Sequence, residues 1–239
     1  MRIACWSGPR NISTALMRSW SSRNDTFVSD EPFYAAYLYK NNIQHPMTSE
    51  IISKYEKSYK QVIKNITSET PNSKDIWYQK HMAHHIEDIN HLDWIENFHN
   101  TLLIRHPALV INSFSKKFEI KSIEQLGYPQ QYQIYKYLKG ENKKISIIDS
   151  SLFLINPKKY LKAWCKNLNI NFQDQMMQWE KGAHENDGIW GSHWYKNVLN
   201  STGFLKKEYN IPLLPKKYHN IYDEGMVFYE EMLNFMKQG

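Results

Sequence analysis

The chain has 239 residues, of which 41% are hydrophobic and 23% charged, the composition of a packed globular protein and a length suited to one α/β domain. A formal charge of +6 permits an anionic partner, but the pairs Lys116-Lys117, Lys143-Lys144, Lys158-Lys159, Lys206-Lys207 and Lys216-Lys217 are scattered and no zinc-finger spacing occurs, so no nucleic-acid partner is expected. The two cysteines, Cys5 and Cys165, stand among apolar neighbours, as buried reduced thiols do; no secretory leader or bilayer-spanning run appears, so the expectation is a cytoplasmic protein with no membrane partner.

In chain order, runs rich in β-branched and aromatic residues occur at Arg2–Ser7, Thr26–Ser29, Asp75–Gln79, Thr101–Arg105 and Lys144–Asp149, and read as strands. After the second run, Ile51, Tyr55, Tyr59, Val62 and Ile66 recur at helical spacing. Asn90–Phe98 and Pro157–Leu168 also suit helices, and Pro107 opens one through Phe118. Gln173–Pro215 has weak periodicity but holds Trp179, Trp190 and Trp194, and reads as a long functional loop before a final amphipathic helix over Lys216–Met236. The alternation predicts an α/β fold, a parallel sheet flanked by helices in three layers, forming a single domain over 1–239.

The residues ending each strand carry the chemistry: Ser7 to Arg10, Asp30-Glu31, Lys80-His81, Arg105 and Asp149. In open α/β sheets ligands bind outside the carboxyl ends of the strands. One crevice therefore receives two basic positions, two acidic positions and a phosphate-type loop. That loop is not a Walker A site, because Ser13 and Thr14 stand where the second glycine and the lysine belong. What remains is a set of backbone N–H groups at a helix N-terminus, with Arg10 as a forked cation and Asn11, Ser13 and Thr14 as neutral donors. Asp149 reads as a helix cap or as a pocket wall. His81, His84 and His85, with Glu87 nearby, have spacing that zinc could use; the segment lacks His-Glu-x-x-His and a neighbouring cysteine, so no metal is expected.

The segment Cys5-Trp6-Ser7-Gly8-Pro9-Arg10-Asn11-Ile12-Ser13-Thr14-Ala15-Leu16, with Arg105-His106-Pro107 and Ser113, resembles the 3′-phosphoadenosine 5′-phosphosulfate-dependent sulfotransferases, especially their small bacterial members. The resemblance runs to Phe204 and implies a P-loop-like sheet and that nucleotide as sulfuryl donor. It implies that Arg10, Asn11, Ile12, Ser13 and Thr14 hold the 5′-phosphosulfate, with Ile12 in place of the usual glycine, and that Arg105 and Ser113 hold the 3′-phosphate. Lys181-Gly182 corresponds to a late loop over the nucleotide. Arg10 and Lys80 are expected to supply positive charge to the leaving phosphate.

A base must take the acceptor's proton. Glu31, in a Glu-Pro segment like that of some bacterial carbohydrate sulfotransferases, is one candidate. His81, near the place of the Lys-Thr-His segment of cytosolic members, is the other. The expected reaction moves a sulfuryl group to a hydroxyl or amine of a small molecule or carbohydrate. Two other readings stay open: a nucleotide-dependent phosphotransferase, and a non-catalytic relative binding anions or nucleic acid.

Overall fold

A computed structural model describes residues 1–86, 91–206 and 210–238. Along Arg2–Ser7 (β1), Ile3 and Cys5 alternate with Ala4 and Trp6, and all four are fully buried. Alternate strand residues point to opposite faces, so both faces of the sheet must be covered. The other strands are Thr26–Asp30 (β2), Ile76–Met82 (β3), His99–Ile104 (β4) and Ile145–Asp149 (β5). They form a parallel sheet in the order β2-β3-β1-β4-β5.

The helices are Ser13–Ser21 (α1), Tyr34–Asn41 (α2), Thr48–Lys54 (α3), Tyr59–Ile66 (α4), Pro107–Phe114 (α5), Tyr128–Gly140 (α6), Ser150–Ile155 (α7) and Pro157–Asn167 (α8). Single turns Gly191–Trp194 (α9) and Lys196–Leu199 (α10) precede the long helix His219–Gln238 (α11). On one face, Ala4, Trp6, Leu102 and Ile104 pack with Ile111 of α5, Ile134 and Leu138 of α6, and Tyr229 and Met232 of α11. On the other, Ile3, Cys5, Tyr78 and Leu103 meet Leu16 and Trp20 of α1, Phe153 of α7, and Leu161 and Trp164 of α8. Trp20 stacks on Tyr78 with centroids 5.3 Å apart and takes Trp164 edge-on at 5.1 Å; such pairs add about 0.5–1.5 kcal/mol each beyond area burial. The fold is thus the expected three-layer α/β sheet. Among the described residues no helix is long and apolar enough to cross a membrane.

Several boundaries differ from the sequence reading. β3 continues past Gln79 through Met82, carrying Lys80 and His81 inside the strand. The helical spacing over Ile51–Ile66 breaks into α3 and α4, because Tyr55 turns extended and the Ser58 hydroxyl caps α4 by accepting from the Gln61 N–H. The segment expected as a helix over Asn90–Phe98 is a short 3₁₀ stretch, Asp93–Asn97, and Asn90 lies outside the described residues. α5 stops at Phe114.

A third cluster joins Tyr34, Ala35 and Leu38 of α2 and Ile51 of α3 to Trp190 and Tyr195. The chain leaving β1 crosses to β2 on one side, whereas that leaving β4 moves to β5 on the other, so a crevice opens between β1 and β4. The cluster and this crevice are the two walls of the site.

Candidate active site

β1 ends at Ser7, and the turn beyond it demands Gly8, since a Cβ there would collide with the Leu126 carbonyl oxygen. Arg10 and Ile12 follow in left-handed conformations, with φ of 63° and 55°. For a β-branched residue this costs about 1–3 kcal/mol, offset by packing of the Ile12 side chain against the cluster around Leu16 and Trp20. The backbone at Ile12 is in the left-handed region that glycine adopts without strain. Ile12→Gly is accordingly expected to leave nucleotide affinity within about threefold of wild type while changing stability by less than about 1 kcal/mol, strain relief offsetting lost packing; calorimetry and urea unfolding check both.

α1 begins without a side-chain cap and without an acidic residue in its first turn. The N–H groups of Ser13, Thr14 and Ala15 have no carbonyl within the helix to bond, and these residues line a cavity of about 470 Å³. The helix dipole adds partial positive charge there. Asn11 plays a different part. Its amide donates to the Leu103 carbonyl at 2.5 Å and accepts from the Ser150 hydroxyl at 3.0 Å, tying the loop to β4 and α7.

Across the crevice Arg105 leaves the end of β4. Its Nη1 donates to the Arg10 carbonyl at 2.5 Å, and its buried Nε has no partner. Arg10 Nε donates to Ser113 Oγ at 3.0 Å, so Arg10, Arg105 and Ser113 form one cluster. Burial pushes both guanidinium groups below their usual range, and neither is salt-bridged to a carboxylate among the described residues. Asp149, by contrast, caps α7 by accepting from the N–H groups of Ser151 and Leu152.

At the other end of the cavity, Lys80 Nζ donates to Asp30 Oδ1 at 2.8 Å, to Glu31 Oε1 at 2.5 Å and to the Tyr195 hydroxyl at 2.7 Å. Tyr195 donates to Asp30 and accepts from Trp190 Nε1 at 3.0 Å, and the Gly188 N–H donates to Asp30 Oδ2 at 3.0 Å. Burial raises the Glu31 carboxyl above its ordinary pKa against the opposing pull of Lys80. Burial works against the Lys80 charge, but Asp30 and Glu31 outweigh it and hold its pKa above the usual value. The loop that brings Tyr195 here is pinned to α1 by a buried Arg18–Asp187 ion pair of 2.5 Å.

The crevice thus combines an uncapped helix N-terminus, two arginines that no described carboxylate salt-bridges and a carboxylate whose pKa burial raises. The model of the sulfotransferase domain family matches residues 1–235. The chain belongs to the sulfotransferase family. The fold is like that of the sulfotransferase domain of the Synechococcus PCC 7002 olefin synthase, 14% identical with a TM-score of 0.61, covering 98% of this chain and 94% of that one. It is also like the sulfotransferase domain from the curacin biosynthetic pathway, 16% identical with a TM-score of 0.54, covering 93% and 96% of the two chains. Two Arabidopsis thaliana proteins, named branched-chain-amino-acid aminotransferase-like protein 2 and 1, are 31% and 30% identical over 235 residues. Those residues are 98% of this chain and 42% of each relative, so the chain spans about two fifths of the length of the curated relatives it matches.

The structure of this family member brings Arg10, Asn11, Ile12, Ser13, Thr14, Glu31, Lys80, Arg105 and Ser113 to one cavity. His81 is not among its lining residues. Strand alternation turns its ring to the opposite face from Lys80, where it stacks on Trp6 at 4.4 Å and shares a hydrogen bond of 3.2 Å with Gln79. Burial, with Lys80 nearby, pushes its pKa down to about 3. Lys181 and Gly182 do not line the cavity either; the Gly182 carbonyl accepts from Arg18 at 3.2 Å, and Gly203, Phe204 and Leu205 contribute instead. Glu87 lies outside the described residues, and among those described no group of three His, Cys, Asp or Glu could hold a metal.

Sequence reasoning missed Tyr195, Tyr34, Tyr37, His45 and Trp194, which wall the Glu31 end. The only local signal for Tyr195 was the tryptophan-rich character of its loop. It meets Asp30 across 165 residues of sequence.

Proposed function

We propose that this sulfotransferase takes its sulfuryl group from 3′-phosphoadenosine 5′-phosphosulfate and passes it to a hydroxyl or amine of a small molecule or carbohydrate, with Glu31 as the base. The observation that carries the reading is the Arg10–Arg105–Ser113 cluster beside the uncapped start of α1, whose buried Arg105 Nε lacks a partner. A doubly phosphorylated nucleotide would satisfy those groups. The donor supplies the sulfuryl group and leaves as 3′,5′-ADP. The N–H groups of Ser13 to Ala15 and the Thr14 side chain would hold its 5′ end, and Arg105 with Ser113 its 3′-phosphate. Arg10, already bonded to Ser113, lies between the two and offsets charge on the leaving phosphate.

Lys80 holds Glu31 Oε1, which leaves Oε2 to receive the acceptor's proton. Burial raises the Glu31 pKa and makes it more basic, while the Lys80 ammonium favours the carboxylate form. His81, turned to the other face of the sheet, has no part in this reading.

Calorimetry with 3′,5′-ADP in the absence of metal tests the proposal. Micromolar affinity, about −8 kcal/mol, is the expected result; stabilisation by Mg-ATP alone would replace it with the phosphotransferase reading, and salt-sensitive oligonucleotide binding without 3′,5′-ADP affinity with the non-catalytic one. Arg105→Ala is expected to weaken 3′,5′-ADP binding by about 10- to 100-fold, the scale of one or two charge-assisted hydrogen bonds.

A further inference from the structure

His85 has no role in the account above, yet it is 3% exposed and lines the same cavity as Glu31. It ends the 3₁₀ turn Ala83–His85 that follows β3. Its ring lies between Tyr37, stacked at 4.5 Å, and Tyr34, stacked at 5.0 Å and 5° from parallel. The Tyr59 hydroxyl donates to its carbonyl at 2.9 Å. Ring plane and backbone are therefore both held, and the imidazole edge points where the fold puts it.

That edge faces the base. His85 Nδ1 is 3.9 Å from Glu31 Oε2 and is buried without a hydrogen-bond partner. Such a distance is too long for a direct bond, but both atoms can reach one shared oxygen at about 2.8 Å each. Oε1 is already held by Lys80, so Oε2 is the carboxylate oxygen that faces Nδ1. A carboxylate oxygen so near favours a proton on Nδ1, because a bare nitrogen lone pair would repel it.

Resting on the sulfotransferase reading with Glu31 as base, we propose that Glu31 Oε2 and His85 Nδ1 clamp the acceptor's hydroxyl, making this an enzyme that sulfates oxygen and discriminates against nitrogen. The hydroxyl donates its hydrogen to Oε2 and accepts a hydrogen bond from Nδ1–H, which leaves one oxygen lone pair for sulfur. As the new O–S bond forms, the S–O bond to the 5′-phosphate breaks, its electron pair leaves with 3′,5′-ADP, and the acceptor's proton moves to Oε2. His85 keeps its proton throughout. A neutral amine has a single lone pair, which the attack consumes, so Nδ1–H would face an N–H group with nothing to accept it. Sites built to bond one polar group reject analogues that leave their own donors unpaired.

The surroundings favour a neutral ring. Burial foremost, then His84, Lys80, His45 and His81, hold the His85 pKa well below its ordinary value, with Glu31, Tyr34 and Tyr37 completing the shell. A neutral imidazole carries one N–H, and the clamp requires it on Nδ1.

The test is long-range ¹⁵N NMR of the whole chain labelled in histidine, with His85→Phe assigning the signal. The expected result at pH 7 is a neutral His85 in the Nδ1–H form that reverts to the ordinary Nε2–H form in Glu31→Gln; a bare Nδ1 in the wild type overturns the clamp. Kinetics with 2-naphthol and 2-naphthylamine as matched probes supply the second arm. The naphthol should be preferred by about 100-fold in kcat/KM. His85→Phe keeps the ring between the two tyrosines but should lose most of that preference, with 3′,5′-ADP affinity unchanged and the acidic limb of the pH profile retained. His85→Asn, with an amide near the Nδ1 position, should recover more activity than His85→Gln. Wild-type turnover in His85→Phe, or loss of its acidic limb, overturns the assignment. Absence of 3′,5′-ADP binding would instead remove the donor reading, whereas normal binding with a bare Nδ1 removes only the clamp.

Discussion

Glu31→Gln should lower kcat for the naphthol probe by about 10²- to 10⁴-fold, the usual contribution of a positioned base, while 3′,5′-ADP affinity stays within about twofold. The amide keeps the volume and an oxygen for Lys80, but Oε2 becomes a group that cannot accept the proton. The pH profile carries the sign. Burial raises the Glu31 carboxyl above its ordinary value of 4.5, and the proposed base acts as its carboxylate, so kcat/KM should fall as pH drops through that raised pKa. In the variant this limb should be absent. A Glu31→Gln enzyme with wild-type turnover and an unchanged acidic limb would remove Glu31 from the chemistry.

Lys80→Met is expected to cost the most stability, about 3–5 kcal/mol, as when one partner of a buried ion pair is removed. Lys80 is 1% exposed and its ammonium is the shared donor to Asp30, Glu31 and Tyr195. Methionine matches the stem but leaves two carboxylates facing each other without a cation. The pH dependence again has a definite sign. Lys80 has a folded pKa above 10.5, so its stabilisation is fully present below that value and is lost only as pH rises through the folded pKa. Glu31 is also raised, so its contribution is complete below about 4.5 and is lost as pH rises through the folded pKa. Removing Lys80 takes away the main force opposing that rise. The variant should therefore be more stable at pH 5 than at pH 8, by a wider margin than wild type, in urea unfolding at the two pH values. A loss below about 1 kcal/mol at pH 8 would mean that the carboxylates find other partners.

The two substitutions separate the roles that the cluster combines. Glu31→Gln leaves Asp30 to hold Lys80 and reports chemistry, whereas Lys80→Met reports the electrostatic cost of keeping a base ready in a buried place. Glu31 directly follows β2 and Lys80 lies inside β3, and Tyr195 joins them from a loop pinned to α1 through Arg18 and Asp187. Loss of that pin should resemble a milder form of the Lys80 variant.

Much of this was written locally. The alternation of Ile3 and Cys5 with Ala4 and Trp6, and the matching runs that became β2 to β5, announce strands buried on both faces, because a period of two is a property of neighbouring residues. The strand-to-helix turn was equally legible: Gly8, Arg10, Ser13 and Thr14 are close in sequence, and the turn carries the last three to the cavity. Arg105 and Ser113, eight residues apart across one turn and one short helix, needed only the same local logic.

What only the tertiary structure decided depends on distant partners. The sequence reading ends the third run at Gln79, yet the strand runs on through Met82, with Asp30 and Tyr195 accepting hydrogen bonds from Lys80 inside the protein. Inclusion in the strand then separates the two neighbours, Lys80 to the cavity and His81 to Trp6, a choice that no count of polar residues could make. Ile12 violates the local preference for glycine and holds a left-handed conformation because packing under α1 compensates for it. His85 meets Glu31 only because β2 and β3 lie side by side. The sequence by itself determined the strands and the strand-to-helix turn after β1, whose causes lie within a few residues; the tertiary structure determined which carboxylate lies beside Lys80, what holds it and what stands opposite it, because burial and charge pairing are sums over residues that only folding brings together.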